Sequence, residues 1–257
     1  MHIAYLDERL LSLNGLKDAF SHMYPHASIK NIPIDTINTD DIKKFQIVVL
    51  PGCNGEDSPY PALLPQSRID TLKNAMENNG LVLITFCAAS YFMAEKIIYE
   101  TKKGEIKERA GAGLIKGTAS HAFRHITRPH NPEDGLQDYI QALLTSPMTD
   151  SSLKILNVNG PAFHLDKTER CESFLEYEDA QGAAGIIQQI GKGKLIALGV
   201  HPELSSKNSD KRFAGQFIEH ESDRFILLNL IRNIIEDHID GLAWRNHTAK
   251  HHGLNHV

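Results

Sequence analysis

Along residues 1–90 short apolar runs alternate with turns and amphipathic stretches, the pattern of parallel strands joined by crossover helices. Ile3 to Leu6, Ile47 to Leu50 and Leu81 to Thr85 are the clearest strands, and Ala27 to Ile32 is a weaker one. Between them Leu16 to Met23 and Ile69 to Asn78 read as helices, the second stopped by Asn79-Gly80. This alternation predicts an α/β chain built on a doubly wound open sheet. From about Glu100 to Gly160 the regularity fades, broken by Gly104, Gly111, Gly113, Gly117, Pro129, Pro132 and Gly135, with a helix expected only over Gln137 to Leu144. The segment reads as an irregular insertion packed on the core. Ile186 to Ile190 and Lys194 to Leu198, joined by Gly191-Lys192-Gly193, read as a β-hairpin with a three-residue loop. After a polar loop, the apolar spacing of Phe225 to Ile235 suits a closing helix, and the His-rich tail beyond Leu242 is expected to be loose. The expectation is one domain over 1–242, with its insertion at about 100–160 and a tail at 243–257.

Composition narrows the classes. The 257 residues suffice for one α/β domain, and an apolar fraction of 41% with 23% charged residues is that of an ordinary folded chain. A formal net charge of -5 argues against a general nucleic-acid binder. The longest apolar run, Leu81 to Ala89, falls far short of the roughly 20 residues a membrane-spanning helix needs. Asp7, Glu8 and Arg9 interrupt any signal-peptide core, so a cytoplasmic location is the default expectation. Cys53, Cys87 and Cys171 are widely spaced and form no Cys-x-x-Cys pair, which points to free thiols rather than a disulfide framework or structural zinc.

One of these thiols stands where chemistry is expected. The run Leu81 to Phe86 ends at Cys87 and continues into Ala88-Ala89-Ser90-Tyr91 and a helix-compatible stretch reaching Lys96. A strand-to-helix elbow of this kind presents a nucleophile at the carboxyl edge of the sheet, and a helix N-terminus behind it favours a thiolate and an oxyanion. The apolar run Lys194 to Val200 likewise ends in His201-Pro202-Glu203. Brought to the same edge, His201 would take the thiol proton and Glu203 would fix the imidazole tautomer. Taken singly, Cys87 is equally well a buried core residue and His201 a turn residue; it is their joint placement that favours a site.

These residues also resemble the class I glutamine amidotransferase-like superfamily and, within it, the biotin-protein ligase N-terminal domain-like group. Pro51-Gly52-Cys53 before an acidic, proline-bearing loop, the Cys87 elbow, Asn159-Gly160-Pro161-Ala162-Phe163, and Gly191-Lys192-Gly193 leading to His201-Pro202-Glu203 carry the resemblance. It implies a flavodoxin-like, mostly parallel sheet with helices on both faces and a Cys87, His201, Glu203 triad. It also implies an oxyanion hole of backbone amides at Gly52 or Cys53 and at Ala88. Asn54, Tyr91, Asn159 and Gly160 stand beside these motifs as candidate substrate contacts. The chain departs from the pattern at Thr85, Ala89 and Cys53, where the family usually has glycine, and the Thr85 and Ala89 side chains crowd the elbow.

The function implied is a cysteine hydrolase acting on an amide or related carbonyl, without a cofactor or metal. The alternative is a ligand-binding or regulatory module that keeps the fold without turnover; a cysteine peptidase or deglycase is a third reading. The sequence contains no Gly-Arg-Gly-Arg-type phosphate loop, so biotin ligation is not expected. The expected partners are a small amide or amino-acid-like ligand and, for amide transfer, a separate synthetase or acceptor protein. His121, His125 and His130 with Arg124 and Arg128, and the tail histidines His247, His251, His252 and His256, read as structural or solvent-exposed rather than as an anion or metal site.

Overall fold

The computed structural model describes residues 1–6, 15–38, 40–53, 58–101, 104–123, 139–166, 171–205 and 218–252, with side chains in the last helix described through Leu242. The chain opens as β1 His2–Leu6, α1 Gly15–Met23, β2 Ser28–Ile32, β3 Ile47–Leu50, the short α2 Tyr60–Leu63, α3 Gln66–Asn79, β4 Val82–Phe86 and α4 Ala88–Met93. It continues as β5 Ala94–Glu100, β6 Ile106–Ala110, β7 Ile115–His121, β8 Tyr139–Thr145, β9 Leu153–Val158 and β10 Pro161–Leu165. Last come β11 Cys171–Tyr177, β12 Ala183–Ile190, β13 Gly193–Leu198 and α5 Ile218–His252.

All the strands among the described residues belong to one mixed 13-stranded sheet. Its first half runs β2-β1-β3-β4-β13 with every neighbour parallel. Beyond the antiparallel β13–β12 pair the sheet forks. One arm continues through β10, β7, β5 and β6; the other passes through β11 and β8 to β9. Alternation along the parallel strands divides the core in two. Ile3, Tyr5, Ile47, Val49, Ile84, Phe86, Ile196 and Leu198 face α1 and α5 residues such as Phe20 and Ile231. Ala4, Val48, Leu50, Leu83, Leu195 and Ala197 face α3 residues such as Leu72 and Met76. Covered on both sides, β3 and β4 are buried at every position, which is why they read as continuous apolar runs. Gly80, at φ 75°, ends α3 in the left-handed conformation that Asn79-Gly80 predicts.

The structure corrects several local expectations. Within the stretch from Glu100 to Gly160, the described residues include four strands, β6, β7, β8 and β9, that lie within the sheet. Gln137 to Leu144 is not a helix: residues 139–145 form β8 between β9 and β11, with Ala142 and Leu144 buried in strand alternation. Its apolar positions fit both periods, and long-range pairing decides between them. The helix after Cys87 stops at Met93 rather than Lys96, since Ala94 already pairs with Ile115 of β7. In the β12–β13 hairpin Ile190 pairs with Gly193, so the loop is the two residues Gly191-Lys192. Finally, α5 continues past Leu242 to His252, whereas the sequence suggests a loose tail there. Among the described residues no helix is long and apolar enough to cross a membrane.

Candidate functional site

Three neighbouring strands, β3, β4 and β13, deliver Gly52, Cys87 and His201 to one edge of the sheet. Cys87 N–H donates to Leu198 O at 2.9 Å and extends the β4–β13 ladder by one residue. The chain then turns sharply, with Cys87 at φ 48°, ψ −110°, and Tyr91 N–H bonds back to Cys87 O to close the first turn of α4. Gly52 permits the close approach: a Cβ there would stand 3.1 Å from Cys87 Cβ and 3.4 Å from His201 Cε1. The Cys87 thiol, 8% exposed as a residue, donates to Val158 O at 3.4 Å.

Thr85, which crowds the turn in the sequence, has a buried hydroxyl 2.9 Å from Ser90 Oγ, and Ser90 Oγ also accepts Leu198 N–H at 3.2 Å. These two hydroxyls tie the first turn of α4 to β13. Ser90→Ala should therefore destabilise the fold by about 1–3 kcal/mol by leaving two buried groups without their bond. A urea titration checks it, and an unchanged midpoint would show that the link is dispensable.

His201 Nδ1–H donates to Glu203 Oε1 at 2.7 Å, with the two residues only 3% and 1% exposed. Burial alone would lower the His201 pKa, but the charge and hydrogen bond of Glu203, together with the Cys87 thiol beside it, raise it from 6.5 to about 10. The sign follows from linkage. A histidine pKa raised by folding stabilises the fold fully below pH 6.5, and that stabilisation is lost as pH rises through about 10. Glu203→Gln removes the main cause, so the melting-temperature gap between wild type and variant should be widest at pH 6.5 and narrow towards pH 10. A gap independent of pH would contradict this assignment.

A second set of buried polar groups shapes the surroundings. Asn157 on β9 is 1% exposed and has every polar group engaged: Nδ2–H donates to Tyr177 Oη at 2.9 Å and to Gly199 O at 2.8 Å, and Oδ1 accepts Gly160 N–H at 3.2 Å. Tyr177 Oη in turn donates to Pro161 O at 3.0 Å. The network brings the β9–β10 turn against the end of β13 at Gly199, where a Cβ on Gly160 would lie 1.8 Å from Gly199 O. Gly160 thus serves backbone contact. Asn159 sits at φ 54°, with its Oδ1 3.2 Å from His121 Nε2. Ala88 follows Cys87 directly at the start of α4. The Cys53 thiol is raised to about 11, chiefly by burial and then by the nearby Cys87.

Tyr91, one turn beyond Cys87, is buried, and its hydroxyl has no hydrogen-bond partner among the described residues. Asn54, His125, His130, Arg124 and Arg128 lie outside the described residues, as do the side chains of the tail histidines. Among the described residues no cluster of His, Cys, Asp and Glu could hold a metal ion. Asn157, Ser90, His220 and Arg224 escape the sequence reading. A polar Asn157 within the apolar run Leu153 to Val158 is the one signal that marks any of them.

Comparison with known proteins agrees with this architecture. A solved structure described as a glutamine amidotransferase matches with TM-score 0.54 at 18% identity, covering 86% of this chain and 98% of its own. A glutamine amidotransferase from Thermotoga maritima matches with TM-score 0.57 at 12% identity, covering 93% and 98%. The structure of SMU.1228c matches with TM-score 0.53 at 10% identity, covering 93% and 100%. At these identities the likeness is one of fold. No curated protein sequence matches the chain. The sequence model described as biotin-protein ligase, N terminal, matches residues 12–233. With that match spanning most of its length on this fold, the chain belongs to the biotin-protein ligase N-terminal family.

Proposed function

We propose that the chain binds a small amide- or carbonyl-bearing molecule at the carboxyl edge of β3, β4 and β13, with Cys87 meeting the carbonyl carbon. The observation that carries this reading is the Cys87 backbone. At φ 48° a cysteine is held where glycine sits without strain, at a cost of about 1–3 kcal/mol, and strain of this kind concentrates at ligand and catalytic sites. Nearby, Tyr91 Oη, His201 Nε2 and Glu203 Oε2 are buried without a hydrogen-bond partner among the described residues. Each such group costs about 1–3 kcal/mol, which a polar ligand would offset.

In the catalytic form of the proposal Cys87 Sγ attacks the carbonyl carbon while the proton it shares with His201 is held on His201 Nε2, whose basicity Glu203 raises. Backbone N–H groups of Ala88 and of Gly52 or Cys53 hold the oxyanion. The C–N bond then breaks, the amine leaves with the His201 proton, and a thioester remains. Water, deprotonated by His201, releases the acid and restores the thiol, while Glu203 keeps Nδ1 protonated throughout. The second reading, a ligand-binding or regulatory module without turnover, is favoured by the enclosure of the thiol: it is turned to Val158 O above a buried Thr85. Ligation of biotin forms no part of either reading.

A diazo-ketone analogue of glutamine separates them. One adduct on Cys87 in wild type, absent in Cys87→Ser and His201→Ala, together with amide hydrolysis, establishes the enzyme. Thermal stabilisation by glutamine that survives in Cys87→Ala, with no hydrolysis, establishes the binding module. Equal labelling of wild type and Cys87→Ser, with no stabilisation by glutamine, removes both.

A further inference from the structure

Four hydrogen bonds close a ring around the backbone of the loop that carries His201 and Glu203. Leu156 N–H donates to His220 Nδ1 at 3.1 Å, and His220 Nε2–H donates to Leu204 O at 2.9 Å. Leu204 N–H donates to His201 O at 3.3 Å, and His201 N–H returns to Leu156 O at 2.7 Å. Every member donates to the next and accepts from the one before. His220, on the first turn of α5 and 3% exposed, is the only side chain in the ring. One turn further along the same helix face, Arg224 Nε–H donates to Pro202 O at 3.2 Å. The loop is thus clipped from β9 on one side and from α5 on the other.

We propose that His220 is the positioning residue of the His201–Glu203 pair, a clip that holds their loop only while its own ring is neutral. The proposal rests on the reading of Cys87 and His201 as a working pair. The ring bonds dictate the tautomer, since Nδ1 must accept from Leu156 and Nε2 must donate to Leu204. A proton on Nδ1 would set two donors against each other and open the ring. The charged groups around His220 act in both directions. Burial lowers its pKa below 6.5, the Leu204 carbonyl and the charges of Glu221 and Glu203 oppose this, and Arg224 adds to it. Further off, Glu219 on α5 pairs with Lys154 of β9 at 3.0 Å, and Asp223 accepts Lys154 N–H at 2.8 Å. A histidine whose pKa is lowered by folding has its native bonds intact above pH 6.5 and loses them as pH falls further.

Glutamine reproduces both bonds with one carbonyl and one amide and does not titrate, whereas phenylalanine keeps the ring and forfeits the bonds. The experiment alkylates the full chain with iodoacetamide and follows Cys87 alone by peptide mass spectrometry from about pH 5 to about pH 8, the range over which histidine changes charge. At about pH 8 His220→Gln should react within about twofold of wild type and His220→Phe about tenfold or more slowly, the scale of a misplaced catalytic group. Below pH 6.5 the wild-type rate should fall away from that of His220→Gln, because only wild type loses its clip. A His220→Phe rate within about twofold of wild type, or an acid limb shared by wild type and His220→Gln, overturns the proposal. If His220→Phe fails to fold, the ratio of wild type to His220→Gln decides alone. His201→Ala serves as the reference: a rate unchanged by that substitution shows that the thiol and imidazole do not work as a pair, and both readings fall together. With His201→Ala slow and the His220 variants silent, only the clip fails.

Discussion

The Cys87→Ser protein should lose covalent capture by an electrophilic glutamine analogue by about a thousandfold or more while melting close to wild type. The two halves of this result have different origins. A serine hydroxyl is nearly the size of a thiol, and it donates to Val158 O at least as well as the thiol that now does so at 3.4 Å. Nothing in the strand ladder at Leu198 O or in the first turn of α4 depends on sulfur. The fold should therefore survive. On the proposed reading the reactivity should not, because a hydroxyl is a far weaker acid than a thiol and a poorer nucleophile. Losses of about a thousandfold or more are usual when one member of a cooperating nucleophile–base group is removed. Intact-protein mass spectrometry against time gives the rate, and differential scanning fluorimetry gives the stability. A large fall in melting temperature would mean that Cys87 serves packing first, in line with the plainer view of it as a core residue.

Gly199→Ala carries the largest expected effect on stability. Its new methyl would lie 1.9 Å from Pro161 O, 2.6 Å from Tyr177 Oη and 3.0 Å from Pro161 C. Two of those contacts are backbone and belong to the turn that Asn157 holds in place. Since neither strand can retreat without breaking the Asn157 bonds, the cost should reach about 3 kcal/mol or more, the upper end for overpacking a filled interior. The same shift moves the start of the His201 loop, so labelling of Cys87 should fall along with the urea midpoint. A Gly199→Ala protein with the wild-type midpoint would require β10 and β13 to pass farther apart than they do here.

The parts of this fold legible in the sequence are those governed by local pattern. Strands β3 and β4 are buried on both faces and announce themselves as apolar runs, and the Asn79-Gly80 stop follows from backbone conformation alone. Cys87 and His201 could be singled out because each ends such a run, and the ends of adjacent parallel strands meet at one edge. What stayed hidden depends on partners far away in sequence. Tyr139 to Leu144 carries apolar residues at both helical and strand spacing, and only pairing with β9 and β11 decides it. His220 sits among acidic residues at a helix start and gives no sign of the loop it reaches. Thr85 reads as an obstruction until its hydroxyl is seen against Ser90.

The adjacency of β4 and β13 has a consequence for how this chain comes into being. Ser90 and Leu198, joined by a hydrogen bond across that seam, are 108 residues apart in sequence. Synthesis delivers β1 to β4 first, and until β13 follows, the strand Val82–Phe86 has an open, apolar flank. Pairings of such long range slow folding, and an unfilled strand edge is the usual seed of aggregation. A ribosome-bound chain stopped anywhere before β13 is thus a sticky intermediate with no candidate site at all, and recovery of native protein should depend on how quickly the last third of the chain arrives to close the seam.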